Sequence, residues 1–167
     1  MKRSRIALIV VAALLVVVAV GGGIARQQFL ASSNPIEPFG SNSPTAVKKV
    51  YVAMDKSEWK LAAVHKLVDS LKDKVNFTVE NLPTLAKLNS AEWDAIVIVA
   101  PVYAGALQSD AANFAAHSDA KSKILLLTTS GSVKIALDGV DVLAAASSDA
   151  DDTITAVGEK LNKLLGL

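Results

Sequence analysis

The chain has 167 residues, 51% of them hydrophobic, with a formal net charge of +1 and no cysteine. That length fits one ordinary domain plus an appendage. The lack of cysteine excludes thiol catalysis, disulfides, thiolate-bound metals and a lipid-modified cysteine anchor.

The apolar excess is concentrated at the N-terminus. Ile6 to Ala25 reads IALIVVAALLVVVAVGGGIA, twenty residues without a charge, which as a helix is roughly 30 Å long and matches the hydrocarbon core of a bilayer. Lys2, Arg3 and Arg5 precede it and Arg26 follows. This asymmetry predicts a single-pass segment over residues 1–25, with the N-terminus cytoplasmic and everything after Arg26 extracytoplasmic. The same stretch fits a signal peptide cleaved after Ala25, at the small residues Gly23 and Ala25. Both alternatives export the remainder, secreted in the second case and tethered to the membrane in the first.

Residues 26–44, RQQFLASSNPIEPFGSNSP, are rich in Pro, Ser and Asn, and this composition predicts a flexible linker. The domain proper is expected over residues 45–167. It carries 13 lysines, no arginine and 15 carboxylates, a net charge of −2. Nothing in that balance resembles the basic footprint of a nucleic-acid binder.

Within the domain the pattern predicts five strands: Val47 to Ala53, Val75 to Glu80, Ala95 to Ala100, Ile124 to Thr128 and Val142 to Ala146. Each is short and rich in Val, Ile or Leu, as strands covered on both faces are. Helical stretches separate them. Ser57 to Lys72 sets Leu61, Val64, Val68 and Leu71 on one stripe, and Asp149 to Leu165 does so with Ile154, Val157, Leu161 and Leu164. Ser109 to Ser118 and a short turn from Leu82 to Leu88 fill the other gaps. Such alternation implies an α/β fold with a parallel sheet. Ligands of such sheets bind beyond the carboxyl ends of the strands, here residues 54–60, 101–108 and 129–134.

Three stretches together, "VKKVYVA", "WDAIVIVAPVYAG" and "SKILLLTTSGS", resemble the flavodoxin-like family over residues 45–167. The resemblance implies a three-layer fold with a five-stranded parallel sheet in order 2-1-3-4-5 and FMN lying across the three loops. By position, Tyr103 is then the aromatic that stacks on the flavin. Ala104 and Gly105 bring backbone close to the ring, and Thr129, Ser130 and Gly131 form the second wall. Lys56 and Ser57 fall where the family holds the phosphate.

That loop departs from the hydroxyl-rich S-x-T-G-x-T type, since this chain has Met54-Asp55-Lys56-Ser57-Glu58-Trp59. A phosphate dianion needs several converging donors at a helix N-terminus. Ser57 keeps one hydroxyl and Lys56 adds a charge, whereas Asp55 and Glu58 oppose it and no glycine lets the backbone approach. Ser57 also suits a helix N-cap and Tyr103 a half-buried aromatic closing the sheet.

Other chemistries are poorly matched. His65 sits beside an apolar stripe and His117 ends a helix, so no metal site is legible. Asp149, Asp151 and Asp152 lack the glycine and glutamate of a calcium loop. A receiver domain needs an aspartate where Ala100 and Pro101 stand, and "TTSGS" is not a nucleophile elbow. Asn76-Phe77-Thr78 is a glycosylation acceptor placed in the second strand, taken as the sheet edge. Two functions follow: a membrane-tethered FMN protein passing electrons to a redox partner, or a cofactor-free interaction or structural module at the membrane surface. A flavin-dependent reductase of quinones or similar small molecules is a third, without a legible substrate face.

Overall fold

A computed structural model of the protein describes residues 35–129, 135–145 and 150–167. The expected membrane segment lies outside these residues. Among the described residues no helix is long and apolar enough to cross a membrane.

The elements are β1 (Phe39–Ser41), β2 (Lys48–Met54), α1 (Glu58–Leu71), β3 (Val75–Asn81), β4 (Ala95–Tyr103), β5 (Ala106–Leu107), α2 (Ser109–His117), β6 (Ile124–Thr129), β7 (Asp141–Ala145) and α3 (Ala150–Leu165), with short 3-10 turns at Leu82–Lys87, Ser90–Glu92 and Lys121–Lys123. Five strands are parallel in the order β3-β2-β4-β6-β7. This is the 2-1-3-4-5 order that the resemblance implies. The sheet is nonetheless mixed and has seven strands, not five: β1 pairs antiparallel outside β3, and β5 folds back on β4.

Strict alternation along the central strands sends side chains to two cores. Val50, Val52, Met54, Val97, Val99, Leu125 and Leu127 meet α1 and α3 on one face. Tyr51, Ala53, Ile96, Ile98, Ile124 and Leu126 meet the 82–87 turn and α2 on the other. Both faces of the central strands are therefore covered, which explains their uninterrupted apolar runs.

Two sequence expectations need correction here. Strand β4 does not stop at Ala100 but runs through Pro101 to Tyr103. Its neighbour β2 ends at Met54, opposite Val99. Beyond that point one side of β4 has no strand partner in β2, so a proline without an N–H is tolerated there.

The second correction concerns residues 35–44, expected as linker. Phe39–Ser41 pairs with Phe77–Val79, so β3 is not the edge of the sheet. Ile36 is buried in the α1/α3 core, and Phe39 stacks on His65 with ring centroids 4.2 Å apart. The composition misleads because its polar groups are used as bonds across to the sheet. Ser41 Oγ donates to the Val75 carbonyl and accepts from the Phe77 N–H.

Candidate functional site

All five parallel strands point their carboxyl ends at one edge, and the elements that follow them start there. Met54 faces Val99, and Thr129 faces Pro101. Strand β4 projects past both neighbours and ends in a hairpin. Tyr103 pairs with Ala106 and Val102 with Leu107. The two residues between, Ala104 at φ 48° and Gly105 at φ 79°, have the positive φ values that a type I′ turn demands of both central positions. Gly105 adopts this freely, whereas Ala104 carries the cost of a Cβ in the left-handed region.

Gln108 ties the hairpin down. It is 1% exposed; its backbone N–H donates to the Pro101 carbonyl. Its Oε1 accepts the Ala111 N–H at 3.0 Å to cap α2, and its Nε2 donates to Asp110 Oδ2 at 2.8 Å. The buried amide is satisfied on both sides, as a buried polar group must be. Tyr103 itself stands 47% exposed at the hairpin, so it does not close the core.

At the head of α1, Ser57 is the N-cap, with its Oγ accepting the Lys60 N–H at 3.4 Å and its carbonyl accepting from Leu61. Glu58 follows in the first turn, where the helix dipole favours it. Asp55 and Lys60 form an ion pair of 2.5 Å, their side chains 13% and 6% exposed. Lys60 occupies the first position of the buried stripe that continues through Ala63, Val64, Leu67, Val68 and Leu71. Its charge is therefore met where the stripe reaches the edge. Lys56 lines a cleft with the N-terminal arm, among Pro35 to Phe39, Leu61 and His65.

The structure thus brings Ser57, Tyr103, Ala104, Gly105 and Thr129 to one edge. Lys56 sits on the arm side of that edge, and Ser130 and Gly131 lie outside the described residues. Sequence reasoning missed Lys60 and Gln108. Extending the α1 stripe back by one turn from Val64 reaches Lys60, and a lysine on a buried stripe requires a partner.

Four surface clefts of about 260 to 510 Å³ open on the described residues, and none of these four is lined by Tyr103, Gly105 or Thr129. Among the described residues no group of three metal-ligating side chains is assembled. His117 Nδ1 is 2.9 Å from the Asn113 carbonyl oxygen, within its own helix. Away from this edge, Tyr51 packs edge-on against Trp93 at 5.0 Å and its hydroxyl meets Thr84 Oγ1 at 2.5 Å. Burial raises its pKa; the Thr84 hydrogen bond opposes the rise and the Glu80 charge adds to it.

No family model matches the chain, and no curated protein matches it. Among solved structures it is similar to the metal-soaked Flv1 flavodiiron core from Synechocystis sp. PCC6803, with 12% identity over 74% of this chain and 36% of that one, TM-score 0.45. The lysine decarboxylase LdcF of Francisella novicida shares 18% identity over 70% of this chain and 18% of its own, TM-score 0.40. General stress protein 14 of Treponema denticola, in complex with FMN, shares 14% identity over 70% of this chain and 99% of its own, TM-score 0.39. The chain spans about a third of the flavodiiron core and under a fifth of the decarboxylase, by the 36% and 18% coverage. Likenesses this loose leave the fold assignment resting on the strand order itself.

Proposed function

We propose that the protein is a membrane-tethered module of flavodoxin-like topology that works without FMN, presenting the carboxyl edge of its sheet as an interaction surface. The observation that carries this reading is the Asp55–Lys60 pair. In the loop where the resemblance implies a phosphate, the chain holds its own carboxylate, matched to its own buried cation at 2.5 Å. A phosphate brought to that loop meets Asp55 as a like charge and finds the Lys60 charge already matched to it. Drawing Lys60 away to bind it leaves Asp55 unpaired, which is costly in a largely buried position. The Lys60 backbone N–H, a donor at the head of the helix, is already taken by Ser57 Oγ. The residues present therefore do not fit the phosphate of FMN, and no redox step is derived through it.

A second reading, flavin held by its ring, has one observation in its favour: Tyr103 is 47% exposed at the hairpin where a stacking aromatic is expected. Fluorescence titration of the full chain with FMN tests the two. The expected result is no saturable change up to about 100 μM, a bound on affinity of roughly −5.5 kcal/mol. Saturation in the low micromolar range overturns the cofactor-free reading.

A further inference from the structure

The point at which the N-terminal segment joins the domain has a consequence for orientation. Strand β1 runs antiparallel to β3, with Phe39 opposite Val79 and Ser41 opposite Phe77. Residues before Phe39 therefore lie toward the carboxyl end of β3. Ile36 fixes this: its N–H donates to Asn81 Oδ1 at 2.6 Å, and its carbonyl accepts from Asn81 Nδ2 at 3.2 Å. Asn81 is the last residue of β3 and pairs with Met54, the last of β2. Pro35 to Phe39 and Lys56 line one cleft. The chain thus enters the domain at the carboxyl edge, beside the head of α1.

The arm is held along its whole length. Ser41 bridges Val75 and Phe77. Further on, the Ser43 N–H donates to Asn76 Oδ1 at 2.7 Å, and Asn76 Nδ2 donates to the Ala46 carbonyl at 3.2 Å. Gly40 lies so close to β3 that a Cβ there would fall 2.1 Å from the Phe77 carbonyl oxygen. Any larger residue must push the strand away. Asn76, the glycosylation acceptor of the sequence, is committed to this strap by both ends of its amide.

We propose that residues 35–44 are a strap that turns the carboxyl edge of the sheet, with the Tyr103 hairpin, toward the lipid surface in which residues 6–25 are anchored. The proposal rests on the membrane-tethered reading above. Without the strap the domain would begin at Lys48, the amino end of β2, and the opposite edge would be the tethered one. With it, residues 26–34 alone connect the segment to the domain, and nine residues span at most about 31 Å whatever their conformation. The two edges are separated by the seven residues of β2, roughly 23 Å of strand. A flexible chain of nine residues averages about 16 Å end to end, short of that separation, so the attached edge is the nearer one on average. The carboxyl edge carries Glu58 and Asp151 as well as Lys56, all exposed, so attachment geometry rather than attraction to anionic lipid supplies the orientation. Tyr103 suits the bilayer interface, where an apolar ring with a polar tip is favoured.

The natural absence of cysteine allows single labels. Lys56→Cys marks the carboxyl edge and Ser122→Cys, exposed in the turn before β6, marks the amino edge. The full chain is reconstituted in phosphatidylcholine vesicles that carry a headgroup energy acceptor. The expected result is transfer at least twofold more efficient from position 56 than from 122. Gly40→Val, and separately deletion of residues 35–44, in each labelled background should erase or reverse this order. The deletion puts no bulk against β3 and serves if Gly40→Val does not fold. A chain that fails to associate with the vesicles overturns both the anchored reading and the orientation. A chain that inserts with equal or reversed transfer overturns the orientation alone, and unchanged transfer in a folded deletion variant overturns the role of the strap.

Discussion

Lys60 Nζ lies 2.5 Å from Asp55 Oδ1 across the first turn of α1, with the lysine 6% and the aspartate 13% exposed at the side chain. Each charge is removed from water on account of the other. Deleting one partner strands the other, the situation in which buried pairs matter most.

Lys60→Ala is therefore expected to destabilise the domain by roughly 3 kcal/mol, more than the shortened stem alone explains. Lys60→Met combined with Asp55→Asn, which removes both charges and keeps most of the volume, should recover the larger part. Urea unfolding of the natural chain and these two variants provides the check. Equal losses in Lys60→Ala and the double variant would mean that a stranded Asp55 is not what destabilises Lys60→Ala.

Most of the architecture was legible because the central strands are covered on both faces and so read as apolar runs. Ile96 and Ile98 point to one core while Val97 and Val99 point to the other, and no polar position interrupts them. The arm was not legible for the opposite reason. Prolines and serines in residues 35–44 have the composition of a linker, and only the partners across the gap, Asn76 and Asn81, reveal that its backbone is bonded. Those two asparagines sit in β3, thirty or more residues away, and no local pattern links them. At the candidate site, the departure of the phosphate loop was visible in Asp55 and Glu58, but the pairing of Asp55 was not. It depends on which side of α1 is buried, and the stripe begins at Lys60 rather than Leu61.

The hairpin at the end of β4 stores backbone strain in Ala104, at φ 48°. Replacing it with glycine removes the Cβ clash of the left-handed region, worth about 1 to 2 kcal/mol, against an entropic cost of about 0.5 to 1. Ala104→Gly should raise the unfolding midpoint slightly. The neighbouring Tyr103→Ala should change stability by no more than about 1 kcal/mol, because the side chain is 47% exposed, whereas a fully buried aromatic costs about 3 to 5. A loss of that larger size, read from thermal or urea unfolding, would place Tyr103 in the core and contradict its exposed position.

Tyr51 gives the domain an alkaline limit. Burial raises its pKa above the unfolded value, so the folded state holds the phenol proton more tightly than the unfolded chain does. That contribution is fully present below the unfolded value of about 10 and is lost as pH rises through the folded value. Tyr51→Phe should lower stability at neutral pH by about 1 kcal/mol through the lost hydrogen bond to Thr84, and should flatten the decline above pH 10. A decline of unchanged steepness in the variant would assign the alkaline limit to another group.

The most direct test of the central claim, that the chain supplies its own anion where a flavin phosphate would be held, compares FMN with riboflavin on the full chain under identical conditions. The two ligands share the ring and differ in the phosphate. With Asp55 and Lys60 already paired, the account predicts no affinity gain for FMN, and no saturable binding of it up to about 100 μM. Low-micromolar FMN binding that exceeds riboflavin binding tenfold, about 1.4 kcal/mol of phosphate recognition, would contradict it.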